Sequence, residues 1–370
     1  MFSFVLSTLK TVLYSFKFKT KRFLVLPTRP YYINLSYTYK CNGRCLMCDN
    51  WKRYKDNPQK VQQELTLGDY EKFFSDNEYW LSELRHIGIA GGEPFLRTDL
   101  VDLMRLIRKY QPKVSLGLQT NGLSPERVGE TIKEIIEFYP QITLAVSLDG
   151  ILTTHDKIRG VKGAYGKVLE TISLAKNLGV KEINSGMTIT EDNFSEILKV
   201  KEVVEEQGAK FSCFLADSGE YYNTDKKSDL SQKAREPIIK ALKNFQGDYY
   251  LDNLRLQMEG KRKRQLPCYS GWTSLVIDPY GEVRPCVLRS ESFGNIKKQP
   301  LEEILAGEKA REIRKAVKKC SCWSICEATT SAVVDPWDVL WWFLFYADKK
   351  KFLASRSHSL TQKILAFLSS

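Results

Sequence analysis

The sequence predicts an α/β protein whose parallel sheet is crossed by helices, followed by a smaller cysteine-bearing unit. Two observations carry that expectation. From residue 31 onwards, apolar runs of strand length alternate with stretches of helical periodicity, the pattern of repeated strand–helix–strand crossovers. After residue 266 the composition changes, and five of the nine cysteines fall between Cys268 and Cys326.

Strands are expected at "YYINLSY" (31–37), "HIGIAG" (86–91), "VSLGLQ" (114–119), "ITLAVSL" (142–148), "INSGMTI" (183–189) and "KFSCFLA" (210–216). Helical periodicity lies between them. Thr98 is placed to cap a helix over 99–110. Ser124 precedes one over 125–138, with Pro125 at the first helical position, where its missing N–H costs nothing. Further helices are expected at 164–178 and at 193–207, the latter ending at Gly208. In such a sheet, functional residues gather at the carboxyl ends of the strands. Residues 218–266, with "DKKSD" and "GKRKRQ", read as a polar connector holding one helix near 230–245. "IDPYGEVRPC" reads as a hairpin with its turn at Pro279–Gly281, returning Cys286 towards Cys268.

The chain has 370 residues and is 43% apolar and 12% aromatic, enough for a large buried core. Its net charge of +12 is concentrated at the ends. Residues 1–27 carry Lys10, Lys17, Lys19, Lys21 and Arg22 and no acid, giving +5. Residues 337–370 give +3, so only +4 rests on residues 28–336. That distribution, with no base-reading module, excludes nucleic acid as an expected partner. No apolar run reaches the length of a spanning helix, and no small-residue cleavage site follows the first segment. An odd cysteine count amid Lys-rich sequence points away from a secreted disulfide scaffold and towards thiols in a reducing, cytoplasmic compartment.

"CNGRCLMCDN" places Cys41, Cys45 and Cys48 at C-x3-C-x2-C spacing. Structural zinc usually takes four ligands in paired C-x2-C units, and no fourth His or Cys follows nearby. Three thiolates on a tight loop suit a [4Fe–4S] cluster with one iron left open for a small molecule. Gly43 lets the loop wrap such a group.

That motif after the first strand, with "GGEP" (91–94) after the second, resembles the radical S-adenosylmethionine (SAM) superfamily over roughly residues 31–217. The resemblance implies a partial (β/α)6 TIM-like barrel. It also implies a [4Fe–4S] cluster on Cys41, Cys45 and Cys48, with SAM chelated at the open iron. Reductive cleavage of SAM would give a 5′-deoxyadenosyl radical that takes hydrogen from a substrate. The implied SAM contacts are Gly91, Gly92 and Glu93 at the amine, Asn121 in "QTNG", Ser147 and Asp149 in "SLDG", and Arg159 at the carboxylate. Met47 departs from the aromatic often found there, but a thioether packs comparably. His155 reads as structural and Cys213 as a buried small hydrophobe. No catalytic residue for the substrate is implied.

"CYSGWTSLVIDPYGEVRPC" (268–286), "FGNI" and "CSCWSIC" (320–326) resemble the auxiliary-cluster extension of that superfamily, SPASM or twitch, in a reduced form. The implied second iron–sulfur cluster uses Cys268, Cys286, Cys326 and either Cys320 or Cys322, with one thiol spare. A four-thiolate zinc site is the alternative.

The ends remain. Phe2, Val5, Leu6, Leu9, Val12, Leu13 and Phe16 recur at helical spacing before a basic run. "WDVLWWFLFYA" (337–347) precedes Lys349–Lys351, and Leu360, Ile364, Leu365 and Leu368 follow. Aromatics beside Lys and Arg are the composition of a membrane interface. The expected organisation is therefore an amphipathic segment (1–27), a radical SAM core (28–217), a connector (218–266), a SPASM/twitch-like domain (267–330) and an aromatic, basic tail (331–370). The leading expectation is a radical SAM enzyme at the inner face of a membrane, acting on a membrane-associated or lipid-linked substrate. The resemblance also implies an electron donor such as ferredoxin or flavodoxin. The alternatives are a peptide- or protein-modifying maturase and a non-catalytic zinc-binding membrane-associated module.

Overall fold

A computed structural model describes residues 2–224, 230–245 and 247–348, with the side chains of 2–11 outside that description. Six strands alternate with helices along the first two thirds of the chain. They are β1 (Tyr32–Thr38), β2 (His86–Gly91), β3 (Ser115–Thr120), β4 (Thr143–Ser147), β5 (Glu182–Ile189) and β6 (Lys210–Leu215). Ahead of them runs α1 (Phe2–Phe23). The crossovers carry α2 (Leu67–Asp76), α3 (Glu78–Leu81), α4 (Leu100–Tyr110), α5 (Pro125–Phe138), α6 (Thr153–Arg159), α7 (Ala164–Asn177) and α8 (Ile197–Glu206). Then come α9 (Gln232–Leu242), α10 (Tyr249–Met258), β7 (Ser274–Ile277), β8 (Glu282–Arg284) and β9 (Gly294–Asn295). The chain continues as α11 (Leu301–Ala306), α12 (Glu308–Val317), α13 (Ile325–Val334) and α14 (Trp337–Phe345).

The strands form one sheet in the order β6-β5-β4-β3-β2-β1-β7-β8-β9. Strands β1 to β6 pair in parallel with their sequence neighbours, and β7 adds in parallel to the far side of β1. This is the parallel α/β architecture of a partial TIM-like barrel. Register sets Ile33 beside Ile87, Ile87 beside Leu116 and Leu118 beside Leu144, all buried in one core. Helix α2 packs on α4, α4 on α5 and α5 on α7, a continuous row of helices along the sheet. Because the crossovers return every strand in the same direction, the ends of β1 to β6 open at one edge. The hairpin expected at 277–286 is present: Ile277 pairs with Val283, and Gly281 turns at φ +90°.

Three local expectations change. Helix α4 is entered from Asp99 rather than Thr98. The Asp99 carboxylate does not cap the backbone; it accepts from Arg97 Nε (2.8 Å) and the Tyr37 hydroxyl (2.7 Å). The helix expected over 193–207 begins as a 3-10 turn at Phe194–Glu196 before α8. The segment read as a connector with one helix holds two. Helix α10 has a polar sequence, yet Tyr249 to Leu256 are all buried. Asp252 accepts from Arg255 Nε at 3.1 Å and from the Trp342 indole at 2.9 Å, so its charges are paired inside the protein.

Among the described residues each end packs one part against the body and leaves another part exposed. Phe18 of α1 is fully buried, Lys17 bonds Glu83 at 2.6 Å, and Lys19 pairs with Asp335 at 3.0 Å. Arg22 donates to the Cys268 carbonyl at 2.8 Å. Much of the basic run thus contacts protein. Leu13, Phe16 and Phe23 stay exposed, as do Trp337, Trp341 and Phe345 of α14, while Trp342 is buried. Lys349–Lys351 and the leucines beyond lie outside the described residues. Among the described residues no helix is long and apolar enough to cross a membrane.

Candidate active site

The loop after β1 carries Cys41, Cys45 and Cys48. Its path is held from three sides. Arg44 N–H donates to the Arg159 carbonyl (2.8 Å) and Leu46 N–H to the Ile158 carbonyl (2.9 Å), so the loop docks on the end of α6. Gly43 sits between two thiols. A Cβ there would lie 3.5 Å from Cys45 Sγ and 3.6 Å from Cys41 Sγ. Three donors aim at sulfur: Gly43 N–H (3.4 Å) and Asn121 Nδ2 (3.7 Å) at Cys41, and Arg159 Nη1 (3.7 Å) at Cys45. Such donors favour thiolates, but burial acts the other way, pushing Cys41 to about 12 and Cys48 to about 11. A bound positive metal core would offset that burial and hold Cys41 and Cys48 ionised.

The donor set fits an iron–sulfur cluster: three cysteine thiols on one loop supply three ligands and leave a further metal position open, and donors from Gly43, Asn121 and Arg159 are aimed at the sulfurs.

"GGEP" shapes the loop from the neighbouring strand. Gly91 turns at φ +126°, and a Cβ on Gly92 would lie 2.3 Å from the Lys40 carbonyl oxygen. Only glycine lets the end of β2 come so close to the residue before Cys41. Both glycines line the cavity described below. Glu93 does not. Its carboxylate is buried and accepts from Asn121 N–H (2.7 Å) and the Thr120 hydroxyl (2.9 Å). Burial raises it to about 7. Its visible work is to join the ends of β2 and β3, and it makes no contact with open space.

Asp149 and Arg159 form a second internal unit. Arg159 Nη2 lies 2.6 Å from Asp149 Oδ2, and both residues are buried. Asp149 also accepts from Thr188 N–H at 2.8 Å. Its burial raises its pKa, and Arg159 opposes that shift. His155 accepts from Asp149 N–H at 2.9 Å, and burial drives it down to about 3, so it stays neutral and structural. Arg159 reaches the cavity, while Asp149 sits behind it as its orienting partner. Ser147 and Asn121 are in the cavity wall. Cys213 is fully buried, away from the other thiols.

The cavity has a volume of about 310 Å³. Cys41, Cys45 and Cys48 line it, and so do Cys326, Ser324 and Val287 of the second domain. A small void of about 20 Å³ is lined by Cys286, Cys326, Ser270 and Glu327. Burial pushes Cys286 to about 12, with the Cys322 and Cys320 thiols near enough to raise it further. Burial also raises Cys268, and Glu327 adds to that shift. Arg264 answers the local negative charge by pairing with Glu327 at 2.6 Å. All five cysteines of 268–326 thus belong to one neighbourhood. Sequence reasoning missed other residues of the cavity wall, among them Trp51, Phe214, Asp217, Tyr221 and Tyr222. Asp217 lies two residues past the end of β6, so the strand-end rule was the signal that could have found it.

The fold and this site define a radical SAM enzyme. Residues 35–204 match the radical SAM superfamily, and residues 268–328 match SPASM, an iron–sulfur cluster-binding domain. The chain belongs to that superfamily and to its SPASM-bearing members. Its cofactors are accordingly a [4Fe–4S] cluster and SAM, with further iron–sulfur in the second domain. The chain is 27% identical over 286 residues to the antilisterial bacteriocin subtilosin biosynthesis protein AlbA of Bacillus subtilis (strain 168). That match covers 74% of this chain and 59% of AlbA, so the chain spans less than two thirds of that relative. It is 24% identical over 348 residues to pre-heme d1 synthase of Dinoroseobacter shibae (strain DSM 16493 / NCIMB 14021 / DFL 12), covering 81% of this chain and 82% of that one. Among solved structures, anSMEcpe with bound AdoMet and the Cp18Cys peptide shares the fold. Its TM-score is 0.59 at 21% identity, covering 79% of this chain and 84% of that one.

Proposed function

We propose that this chain is a peptide-modifying radical SAM enzyme. In this reading Cys41, Cys45 and Cys48 hold the [4Fe–4S] cluster. Cys268, Cys286, Cys326 and one of Cys320 and Cys322 hold an auxiliary cluster. Bound at the first site, a [4Fe–4S] cluster supplies the electron that breaks a C–S bond of SAM, yielding methionine and a 5′-deoxyadenosyl radical.

The residues of the chain do the rest. Asn121 and Arg159 donate to the Cys41 and Cys45 sulfurs, with Asp149 fixing the guanidinium. Together with the bare backbone of Gly91 and Gly92 and the Ser147 hydroxyl in the cavity wall, they would hold SAM. Glu93 is withdrawn from the direct contact expected of it and acts by tying Asn121 in place. The observation that carries the reading is the shared cavity, lined by Cys41, Cys45 and Cys48 of one cysteine group and by Cys326 of the other. A substrate held there lies between the radical source and the auxiliary site. Residues 28–217 and 267–330 serve as the two functional units, although they share one sheet.

AlbA is named for bacteriocin biosynthesis and anSMEcpe was solved with a peptide, which favours a peptide substrate over a lipid-linked one. The ion pairs of Lys17 with Glu83 and of Lys19 with Asp335 point the same way, since they engage part of the basic run with protein. A small reducing protein such as ferredoxin or flavodoxin would supply the electron.

The test is anaerobic reconstitution followed by iron, sulfide and 5′-deoxyadenosine assays. About eight irons per chain and SAM cleavage that a peptide library stimulates are expected, with mass-shifted peptide as product. Changing Cys41, Cys45 and Cys48 together to Ala must abolish 5′-deoxyadenosine. Its persistence would overturn the cluster assignment, and stimulation by a tetrapyrrole alone would overturn the peptide assignment.

A further inference from the structure

Two charged side chains other than cysteine face the cavity, Arg159 and Asp217, and they stand in different situations. Arg159 is answered by Asp149 at 2.6 Å. Asp217 pairs with no cation among the described residues; its neighbours are the Ser324 hydroxyl and aromatic rings. It lies close enough to Tyr222 and Tyr250 to raise both phenols. Tyr221 and Tyr222 line the same part of the cavity, with ring centroids 5.0 Å apart in an edge-to-face pair.

This corner is tied to both cysteine groups. Asp49 N–H donates to the Tyr222 carbonyl (2.8 Å) and Asn50 Nδ2 to the Tyr221 carbonyl (2.8 Å), which fastens the tyrosine turn to the end of the Cys48 loop. On the other side, Ser324 and Cys326 bring in the second group. A group bound here would lie beside the path between the two.

We propose that Asp217, Tyr221 and Tyr222 form a subsite for an ammonium or guanidinium group of the substrate. The inference rests on the peptide reading above and narrows it to a peptide presenting a basic side chain or a free amino terminus near the reacting carbon. The physical reason is charge balance. Asp217 is a half-buried carboxylate in the cavity wall whose hydrogen-bond partner, the Ser324 hydroxyl, is neutral, so a ligand cation would offset the cost of its partial desolvation. Burial raises the Asp217 pKa, and the Ser324 hydrogen bond opposes that shift. Aromatic rings lining the same wall as a carboxylate suit a cation and give a neutral amide little. Arg159, paired already, places no competing positive charge in this corner.

The test uses reconstituted, SAM-loaded full-length protein and isothermal titration with three probes. These are Nα-acetyl-lysine amide, its neutral Nε-acetylated counterpart, and norleucine amide, whose only charge is the α-amine. At least tenfold tighter binding of a charged probe than of the neutral one is expected, and Asp217→Asn should remove that preference. Preference for acetyl-lysine amide identifies a side-chain cation; preference for norleucine amide identifies an amino terminus. Equal binding of all three, binding of none, or a preference that survives Asp217→Asn overturns the proposal. Loss of SAM affinity in Asp217→Asn would also overturn it, by placing Asp217 in the SAM site. If the variant fails to fold, the wild-type comparison of charged and neutral probes still decides. Wild-type 5′-deoxyadenosine formation is measured alongside, so failure of the subsite and failure of the radical SAM reading give different results.

Discussion

Gly92→Ala is the sharpest perturbation the site allows. The added methyl would meet the Lys40 carbonyl oxygen at 2.3 Å and two backbone carbons at 2.8 Å. An ordinary contact begins at 3.4 Å, so something must move by 3.4 − 2.3, or 1.1 Å. Neither partner yields easily. Lys40 O accepts the Glu93 N–H at 2.8 Å, and Thr38 O accepts the Gly92 N–H at 2.6 Å. The movement therefore passes to the residue after Lys40, which is Cys41. Overpacking of this kind costs about 1–3 kcal/mol of stability. A displacement of about 1 Å at reacting groups costs on the order of 10²-fold in rate. The expected result is a lowered melting temperature, reduced iron in the first site and 5′-deoxyadenosine formation down by about 10²-fold. Gly166→Ala is the control. Nothing lies within 4 Å of its Cβ position, and it sits within α7. Alanine there should be neutral or stabilising by up to about 1 kcal/mol. A Gly92→Ala protein with wild-type iron, melting temperature and rate would refute the view that β2 positions the cysteine loop through backbone contact.

Three further outcomes are expected. Arg159→Met leaves Asp149 buried without its cation and should cost about 3–5 kcal/mol in urea unfolding; a loss below about 1 kcal/mol would show that the pair does not fix the site. Glu93 is a buried acid whose pKa is raised from 4.5 to about 7. The protonated form is thus favoured by folding, and its contribution is complete below pH 4.5 and lost as the pH rises through about 7. The stability difference between wild type and Glu93→Gln should fall over that window by roughly 3 kcal/mol at most; a flat difference would refute the shift. Phe18→Ala should cost about 3–5 kcal/mol with unchanged binding to anionic liposomes, whereas unaltered stability with weakened liposome binding would restore α1 as a membrane anchor.

What could be read without coordinates follows from how each feature is built. The strands were visible because a strand buried on both faces is a short apolar run, and its neighbours need not be known. The cluster loop was visible for a related reason. Chelation by Cys41, Cys45 and Cys48 needs a short local spacing, and Gly92 lies directly after the strand beside it. Features assembled from distant segments were not visible. Nothing in "SLDG" says that Asp149 will turn from the cavity to hold Arg159, ten residues on. Helix α10 looked like solvated connector because Asp252 and Arg255 find each other, and Asp252 finds Trp342, only in the folded chain. The apolar stripe of α1 had two solutions, a bilayer or a protein groove, and periodicity carries no information about which partner covers it. Lys17 and Lys19 find Glu83 and Asp335, neither near α1 in sequence, while Leu13 and Phe16 stay exposed. The same division separates the two halves of the cavity. The SAM half is built from short motifs at four successive strand ends, so it resembles its family in sequence. The Asp217 half is assembled from the end of β6, a tyrosine turn and the loop before α13. It has no local signature, and it is the half to which we assign the choice of substrate.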